Sequence, residues 1–193
     1  MSSRSKITTA IREAYASGRT VRLQRKFAEE RHEGFVHAVG PKWVVLEPVT
    51  DRLDFDGYAC LRIEDIATVG KSYPEAFLAA IFRARRIRPR PVEVDASSIM
   101  RLLESIQRRA AIVAIERELV RPGVFVVGRV SRYTRSSFEM VTVGLSGHID
   151  DVMTSALKDV TKISFGTGYV EGLNLVAKLG GRRGRRASSG LDG

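Results

Sequence analysis

The chain has 193 residues, 44% of them hydrophobic and 28% charged, a balance typical of a globular protein with one middling domain or two small ones. No apolar run is long enough to span a bilayer, and the single cysteine, Cys60, rules out an internal disulfide framework and predicts a reducing, cytoplasmic location. Each half would bury only a modest core, so contact between the halves or assembly into a homo-oligomer is expected to add stability.

The positive charge is concentrated outside the regions predicted to fold. Five arginines in residues 83–90 supply half of the net charge of +10, and residues 180–193 supply a further +3. The rest of the chain carries only +2, so the basic signal belongs to a linker and a tail. These arginines are Arg83, Arg85, Arg86, Arg88 and Arg90 in the linker, and Arg182, Arg183, Arg185 and Arg186 in the tail.

The first half is predicted to begin with a helix. Apolar residues recur at helical spacing over residues 7–15, with Ser5 as the N-cap and Gly18 as the stop. The Arg- and Ser-rich start resembles a transit peptide. However, Ile11 matches Leu103 at an offset of 92 residues, and a removable segment would have no such counterpart. The helix is therefore predicted to belong to the folded protein.

Short strands follow, separated by turns rich in charge or glycine. Strands are predicted at residues 21–25, 34–39, 43–47 and 58–69, the last as one long strand or two short ones. A charged turn is predicted at residues 26–33 and an acidic turn at residues 51–57. Ser72 and Glu75 have the spacing of a capping box, which predicts a helix with Pro74 in its first turn that ends near Phe82.

The second half is predicted to repeat this order after a linker stiffened by Pro89 and Pro91. A helix is expected over residues 98–109, capped by Asp95 or Ser97. Strands are predicted at residues 111–117, 124–133, 137–143 and 155–165. A last helix is expected over residues 169–179, stopped by Gly180 and Gly181, with a disordered tail beyond it.

Two stretches of the chain resemble each other at a nearly constant separation. Residues 63–66 match residues 157–160 at an offset of 94. The offset becomes 96 in the segments that follow, where Tyr73, Glu75 and Phe77 match Tyr169, Glu171 and Leu173. Repetition on this scale predicts one module built twice.

Short strands with tight turns and no long crossover predict antiparallel pairing. The predicted fold class is mainly β with flanking helices (α+β), arranged as two repeated small antiparallel barrels, each with an N-terminal and a C-terminal helix. The expected domains are a first barrel at residues 1–82, an Arg/Pro linker at 83–96, a second barrel at 97–179 and a tail at 180–193. The predicted core comprises Trp43, Val45, Ile63, Ile66 and Phe77, with Phe138, Met140, Leu157, Val160 and Leu173 as their counterparts.

The spacing Gly34-x-Val36-x-x-Val39-x-x-x-Trp43-x-Val45 resembles the second and third strands of the first Sm motif, and Gly128-x-Val130-x-x-Tyr133 followed by Phe138 and Met140 repeats it one residue longer. The resemblance covers about 50 residues in each half and implies an Sm-like barrel; an SH3-like barrel would fit the same strands.

The RNA-contact residues of the Sm family are not matched. That family uses an Asp in the turn and an Asn in the next strand, where this chain has Gly40 and Val44, then Thr134 and Phe138. The Arg-Gly pair of the second Sm motif has no counterpart. The resemblance therefore implies the fold and no RNA-contact residue.

Candidate sites for nucleotides and metals have simpler structural interpretations. Gly70, Lys71 and Ser72 lie where a phosphate-binding loop would end, but the leading glycine of that motif falls on Asp65, which leaves only a generic helix N-terminus. His32 and His37 have no neighbouring cysteine or further histidine to complete a zinc site. No metal or other cofactor is predicted.

The remaining polar groups also predict no catalytic set. The aspartates of the 51–57 turn suit local hydrogen bonds, and Cys60 lies in an apolar strand. Glu75 and Glu171 each begin a helix, where a carboxylate complements the dipole. The aromatic residues Trp43, Tyr58 and Phe82 are expected in the core rather than as stacking surfaces for bases.

The arginine clusters predict a function. Guanidinium groups suit phosphate, and flexible Arg/Gly segments suit single strands of RNA or DNA. The leading hypothesis is a non-enzymatic tandem barrel that binds RNA or joins a ribonucleoprotein assembly through the nine arginines named above. The alternatives are a protein–protein adaptor or self-assembling scaffold that uses exposed barrel edges, and a hydrolase or nuclease with an unrecognised site.

Overall fold

The computed structural model describes residues 3–27, 30–146 and 149–188 and contains helices α1 (Ser3–Ser17), α2 (Glu75–Arg85), α3 (Ile99–Gln107) and α4 (Gly168–Ser188). The strands of the first half are β1 (Thr20–Arg25), β2 (Arg31–Val39), β3 (Trp43–Pro48), β4 (Tyr58–Arg62) and β5 (Ile66–Lys71). Those of the second half are β6 (Val113–Glu116), β7 (Phe125–Tyr133), β8 (Ser137–Val143), β9 (Ile149–Ala156) and β10 (Lys162–Phe165). Short 3₁₀ turns at Ile63–Asp65 and Leu157–Asp159 precede β5 and β10.

The ten strands form one open antiparallel sheet in the order β5-β1-β2-β3-β4-β10-β6-β7-β8-β9. The prediction of a mainly β fold with helices is confirmed, whereas the prediction of two separate closed barrels is wrong. The halves are continuous because β4 pairs with β10, so that Cys60 faces Ile163. Each half nevertheless has the same strand order, with its fifth strand beside its first and its fourth strand last.

The repeat is visible in backbone geometry. A Cβ atom on Gly34 would lie 2.0 Å from the carbonyl oxygen of Glu47, and one on Gly128 would lie 2.1 Å from that of Val141. The two glycines are 94 residues apart, and at each of them the backbone of the neighbouring strand approaches too closely for a side chain. A register shift follows in both halves, at Val36/Ala38 in β2 and at Val130/Arg132 in β7. The offset therefore marks equivalent positions in the two halves.

The central strands are buried on both faces. Val44 and Leu46 of β3 pack in a first core with Ile11 of α1. Trp43 and Val45 point to the opposite face and join a second core that contains α3 and most buried residues of the second half. The halves thus share hydrophobic core as well as backbone hydrogen bonds, which makes the junction between them a large part of the fold's stability.

The predicted core is confirmed at nine of its ten positions. Phe77 is the exception, because its side chain is 45% exposed while Leu78 is 3% exposed and packs with Phe82. The helix begins at Glu75 with Pro74 as its N-cap residue. Its buried face therefore contains Leu78 and Phe82, which are four residues apart, and leaves Phe77 on the exposed side.

Several predicted helix ends are also corrected. Ser72 forms no capping box, since its hydroxyl donates to Glu33 at 2.9 Å. Helix α3 is capped by Ser98 rather than by Asp95 or Ser97. Helix α4 continues through Gly180 and Gly181 to Ser188, although each glycine disfavours a helix by about 1 kcal/mol relative to alanine. Residues 189–193 of the predicted tail lie outside the described residues.

Candidate nucleic-acid interface

The five linker arginines fall into two groups. Arg83, Arg86 and Arg88 are exposed, and within the described parts of the chain their guanidinium groups make no hydrogen bond or ion pair. They lie at and just after the end of α2, where Arg86 adopts a left-handed conformation with φ 56° and ends the helix. These three side chains are therefore free to meet an anionic partner.

Arg85 and Arg90 instead hold the linker against the sheet. Arg85 donates to the carbonyl oxygens of Arg52 and Leu53. The backbone N–H of Arg90 donates to the carboxylate of Glu47 at 2.9 Å, and the Tyr58 hydroxyl donates to the Arg90 carbonyl oxygen at 2.6 Å. Both arginines therefore have structural partners that the sequence did not indicate.

The buried Glu47 carboxylate anchors this arrangement. Its side chain is fully buried in β3, and besides Arg90 it contacts the His37 ring, with Nε2 and Oε2 2.9 Å apart. The pKa of Tyr58 is raised above its usual value, mainly by burial and secondly by the negative charge of Glu47. The hydroxyl therefore stays protonated and can donate its hydrogen bond. The ring of Tyr58 stacks on Phe165 with a centroid distance of 4.9 Å, so it is occupied by the core.

The four tail arginines all lie within α4, and their side chains are outside the described part of the structure. Of the aromatic residues considered for base stacking, Trp43 and Phe82 are buried as expected, with 3% and 7% exposure, whereas Tyr58 is half-buried. An interface with nucleic acid would accordingly depend on charge more than on aromatic stacking.

A second basic region, not predicted from the sequence, lies where loops of the two halves meet. We call it the junction cleft; it has a volume of about 580 Å³. Equivalent turns build it, since the Ile63 N–H donates to the Lys42 carbonyl and the Leu157 N–H donates to the Ser136 carbonyl, both at 2.8 Å. The charged side chains that line it are Lys42, Arg62, Glu64, Arg135 and Lys158.

Arg62 is the fixed member of the junction cleft. Its Nε and Nη2 donate to the carboxylate of Asp65 at 2.6 and 3.1 Å, and its Nη1 donates across the junction to the Lys158 carbonyl oxygen at 2.9 Å. Because its side chain is only 14% exposed, this guanidinium acts mainly as a link between the halves.

The sequence did not reveal the junction cleft because its basic residues are scattered. Lys42 and Arg135 are 93 residues apart, Arg135 and Lys158 are 23 residues apart, and none of them belongs to a run of basic residues. The offset of 94 could have indicated the site, because it relates Lys42 to Ser136 and Glu64 to Lys158. It would have shown that both halves present the same pair of turns.

The buried His32 corrects another prediction. It lies in β2 with 4% exposure rather than in a charged turn, and its Nε2 is 3.3 Å from a carboxylate oxygen of Glu30. Burial lowers its pKa to about 4, with the Glu30 charge acting in the opposite direction. Within the described chain no group of three or more His, Cys, Asp or Glu side chains could hold a metal ion.

Acid should destabilise the fold through His32. The unfolded histidine gains a proton below about pH 6.5, whereas the folded one stays neutral until about pH 4. The contribution of His32 is therefore intact above pH 6.5 and should fall on the order of 2 kcal/mol between pH 7 and pH 4.5. Urea unfolding of wild type and His32→Gln at both pH values checks this. An equal loss of stability in the two proteins would contradict it.

The remaining sequence candidates have structural roles. Lys71 belongs to β5 and Ser72 contacts Glu33, so this segment forms no phosphate-binding loop. Cys60 is fully buried, and burial raises the pKa of its thiol, which makes it unreactive. None of the described helices has the length and apolar character needed to cross a membrane.

Comparison of the chain with protein-family models, with curated proteins and with solved structures finds no match.

Proposed function

We propose that this chain is a non-enzymatic protein of two Sm-like modules that binds single-stranded RNA or joins a ribonucleoprotein assembly. The observation that carries the proposal is the group of three exposed arginines, Arg83, Arg86 and Arg88, which have no partner among the described side chains, on a protein of net charge +10. Guanidinium groups without an internal partner are available to phosphate oxygens, and their positive charge releases counterions from the nucleic acid.

The repeated strand order supports the Sm-like part of the proposal. In each half a helix precedes five antiparallel strands, a register shift follows the glycine of the second strand, and a 3₁₀ turn separates the fourth strand from the fifth. The departures at Gly40, Val44, Thr134 and Phe138 remain, so the proposal places RNA contacts on arginines and on none of the positions that the Sm family uses.

Replacing Arg83, Arg86 and Arg88 together by glutamine should weaken binding and reduce its salt dependence. Each lost phosphate contact should lower the slope of log affinity against log salt by roughly 0.7, hence by up to about 2.1 for three. Fluorescence anisotropy with a fluorescein-labelled mixed-sequence RNA, titrated between 50 and 300 mM KCl, measures the slope.

The matched control replaces Arg4, Arg12 and Arg121 by glutamine, because these three are also exposed and the change in net charge is equal.

Truncation after Leu179 removes four arginines and should lower the slope by at most about 2.8. Lysine substitutions should largely preserve binding, since counterion release needs charge rather than shape. A wild-type protein that fails to bind RNA at 50 mM KCl would overturn the proposal.

The adaptor or scaffold alternative draws support from the two free sheet edges, β5 and β9. The side chains at the equivalent surface of the second half argue against self-assembly by the same contact. In the first half, Trp43, Val45 and Cys60 of β3 and β4 pack against the second half. The offset of 94 places Ser137, Glu139 and Thr154 at the equivalent positions of β8 and β9. A further copy docked in the same way would bury a carboxylate and two hydroxyl groups, which costs free energy unless each finds a partner.

A further inference from the structure

We infer that the junction cleft is a second phosphate-binding site, which holds the backbone of a single-stranded nucleic acid between the two halves. This inference rests on the proposed function and adds to it a place on the folded sheet. Lys42, Arg135 and Lys158 are all exposed, and across the described residues none of their side chains makes a hydrogen bond or an ion pair.

The three cations come from separate turns that the fold brings to one cavity. Lys42 lies in the turn between β2 and β3, Arg135 in the turn between β7 and β8, and Lys158 in the 3₁₀ turn before β10. Two backbone hydrogen bonds of 2.8 Å tie the turns to the 3₁₀ segments, and Arg62 joins the 3₁₀ segments to each other through the Lys158 carbonyl. The backbone positions of the three turns are therefore fixed, although the charged side chains remain free.

Like charges that line one cavity without ion-pair partners of their own raise the free energy of the unliganded protein, and an anion relieves this repulsion. Arg62 is already paired with Asp65 at 2.6 Å, and Glu64, the one carboxylate among the described residues that line the cleft, lies 3.7 Å from the same guanidinium. The four cations that line the cleft therefore exceed these two carboxylates by a net charge of +2. Lys42, Arg135 and Lys158 are left to bind a ligand. A volume of about 580 Å³ falls in the range of small-ligand sites and admits part of a nucleotide chain.

Trp43 offers a direct signal from this site. It is the only tryptophan of the chain, it is one of the residues that line the cleft, and it is only 3% exposed. A phosphate chain in the cleft should change the intensity or wavelength of its emission. Binding confined to the linker or tail arginines should leave this emission unchanged.

The test compares three charge-matched variants in the same anisotropy titration with a labelled 12-nucleotide RNA. They are Lys42/Arg135/Lys158→Gln, Arg83/Arg86/Arg88→Gln and the control Arg4/Arg12/Arg121→Gln. The cleft variant should bind at least tenfold more weakly than the control at 100 mM KCl, with a salt slope lower by up to about 2.1. It should also lose the Trp43 signal that unlabelled RNA gives with wild type. Thermal melts confirm that the variants are folded.

The outcomes separate the inference from the function on which it rests. If the linker variant loses affinity while the cleft variant matches the control, RNA binding stands and the cleft inference is overturned. An unchanged Trp43 emission at saturating RNA would overturn it as well. If wild type binds no RNA at 50 mM KCl, both the proposed function and the cleft inference are overturned.

Discussion

Replacing Trp43 by alanine should lower the free energy of unfolding by about 3–5 kcal/mol. The indole is 3% exposed and packs in the core that contains α3 and most of the buried second-half residues, although Trp43 itself belongs to β3 of the first half. Its removal should therefore weaken both halves through the surface they share. Urea unfolding followed by far-ultraviolet circular dichroism measures the change without relying on tryptophan emission.

Phe77→Ala is the control for this prediction. Phe77 is 45% exposed on α2, so the loss of its ring should cost much less than the loss of Trp43. A single unfolding transition is expected in both proteins, because the cores and the sheet are continuous across the junction. A midpoint that does not move in Trp43→Ala would show that the indole contributes little to the core.

Most local elements could be predicted from the sequence, because their signals lie within each element. The strand predicted at residues 155–165 is wrong, since this stretch contains the end of β9, a 3₁₀ turn and β10. Strand β8 spans the predicted residues 137–143, and α1 ends before the predicted stop at Gly18, whose φ is +65°. The offset of 94 correctly indicated that the two halves repeat, since it is carried by residues that set strand crossings and turns, such as Gly34 and Gly128.

The pairing of β4 with β10 could not be predicted in the same way. Residues 60 and 163 are far apart in the sequence, and a short apolar strand buried on both faces does not specify its partner. The same difficulty applies to the contacts of Arg90. Its partner, the buried Glu47, lies 43 residues away along the chain, so the local sequence does not indicate the contact.

The free cations could be predicted only in part. Arg83, Arg86 and Arg88 belong to a visible charge run and are exposed as a run of that kind suggests. Lys42, Arg135 and Lys158 become a group only after the sheet brings three turns together. A functional surface assembled by tertiary structure leaves no local pattern in the sequence, so the structure is needed to find it.

The ion pair between Arg25 and Glu118 should be the most sensitive polar contact of the fold. Arg25 ends β1 in the first half, its side chain is completely buried, and its two terminal nitrogens donate to both oxygens of Glu118 in the second half at 2.5 Å. Burial opposes ionisation of Glu118, but hydrogen bonds from Arg25 and Thr161 outweigh it and lower the pKa of the carboxyl group. The pair therefore stays charged at neutral pH.

Glu118→Gln should destabilise the protein by up to about 3–5 kcal/mol at pH 7, because it removes the carboxylate that pairs directly with the buried Arg25. The exposed pair of Arg101 and Glu104 supplies the control, and Glu104→Gln should cost less than about 1 kcal/mol. The double variant Arg25→Met/Glu118→Leu should recover most of the lost stability, since no unpaired charge is then buried.

Because the pKa of Glu118 is lowered in the folded state, its contribution is present above the unfolded pKa and disappears as acid protonates it. The difference between wild type and Glu118→Gln should accordingly shrink as the pH falls, and a difference that stays constant down to pH 3 would show that the pair does not act through its charge.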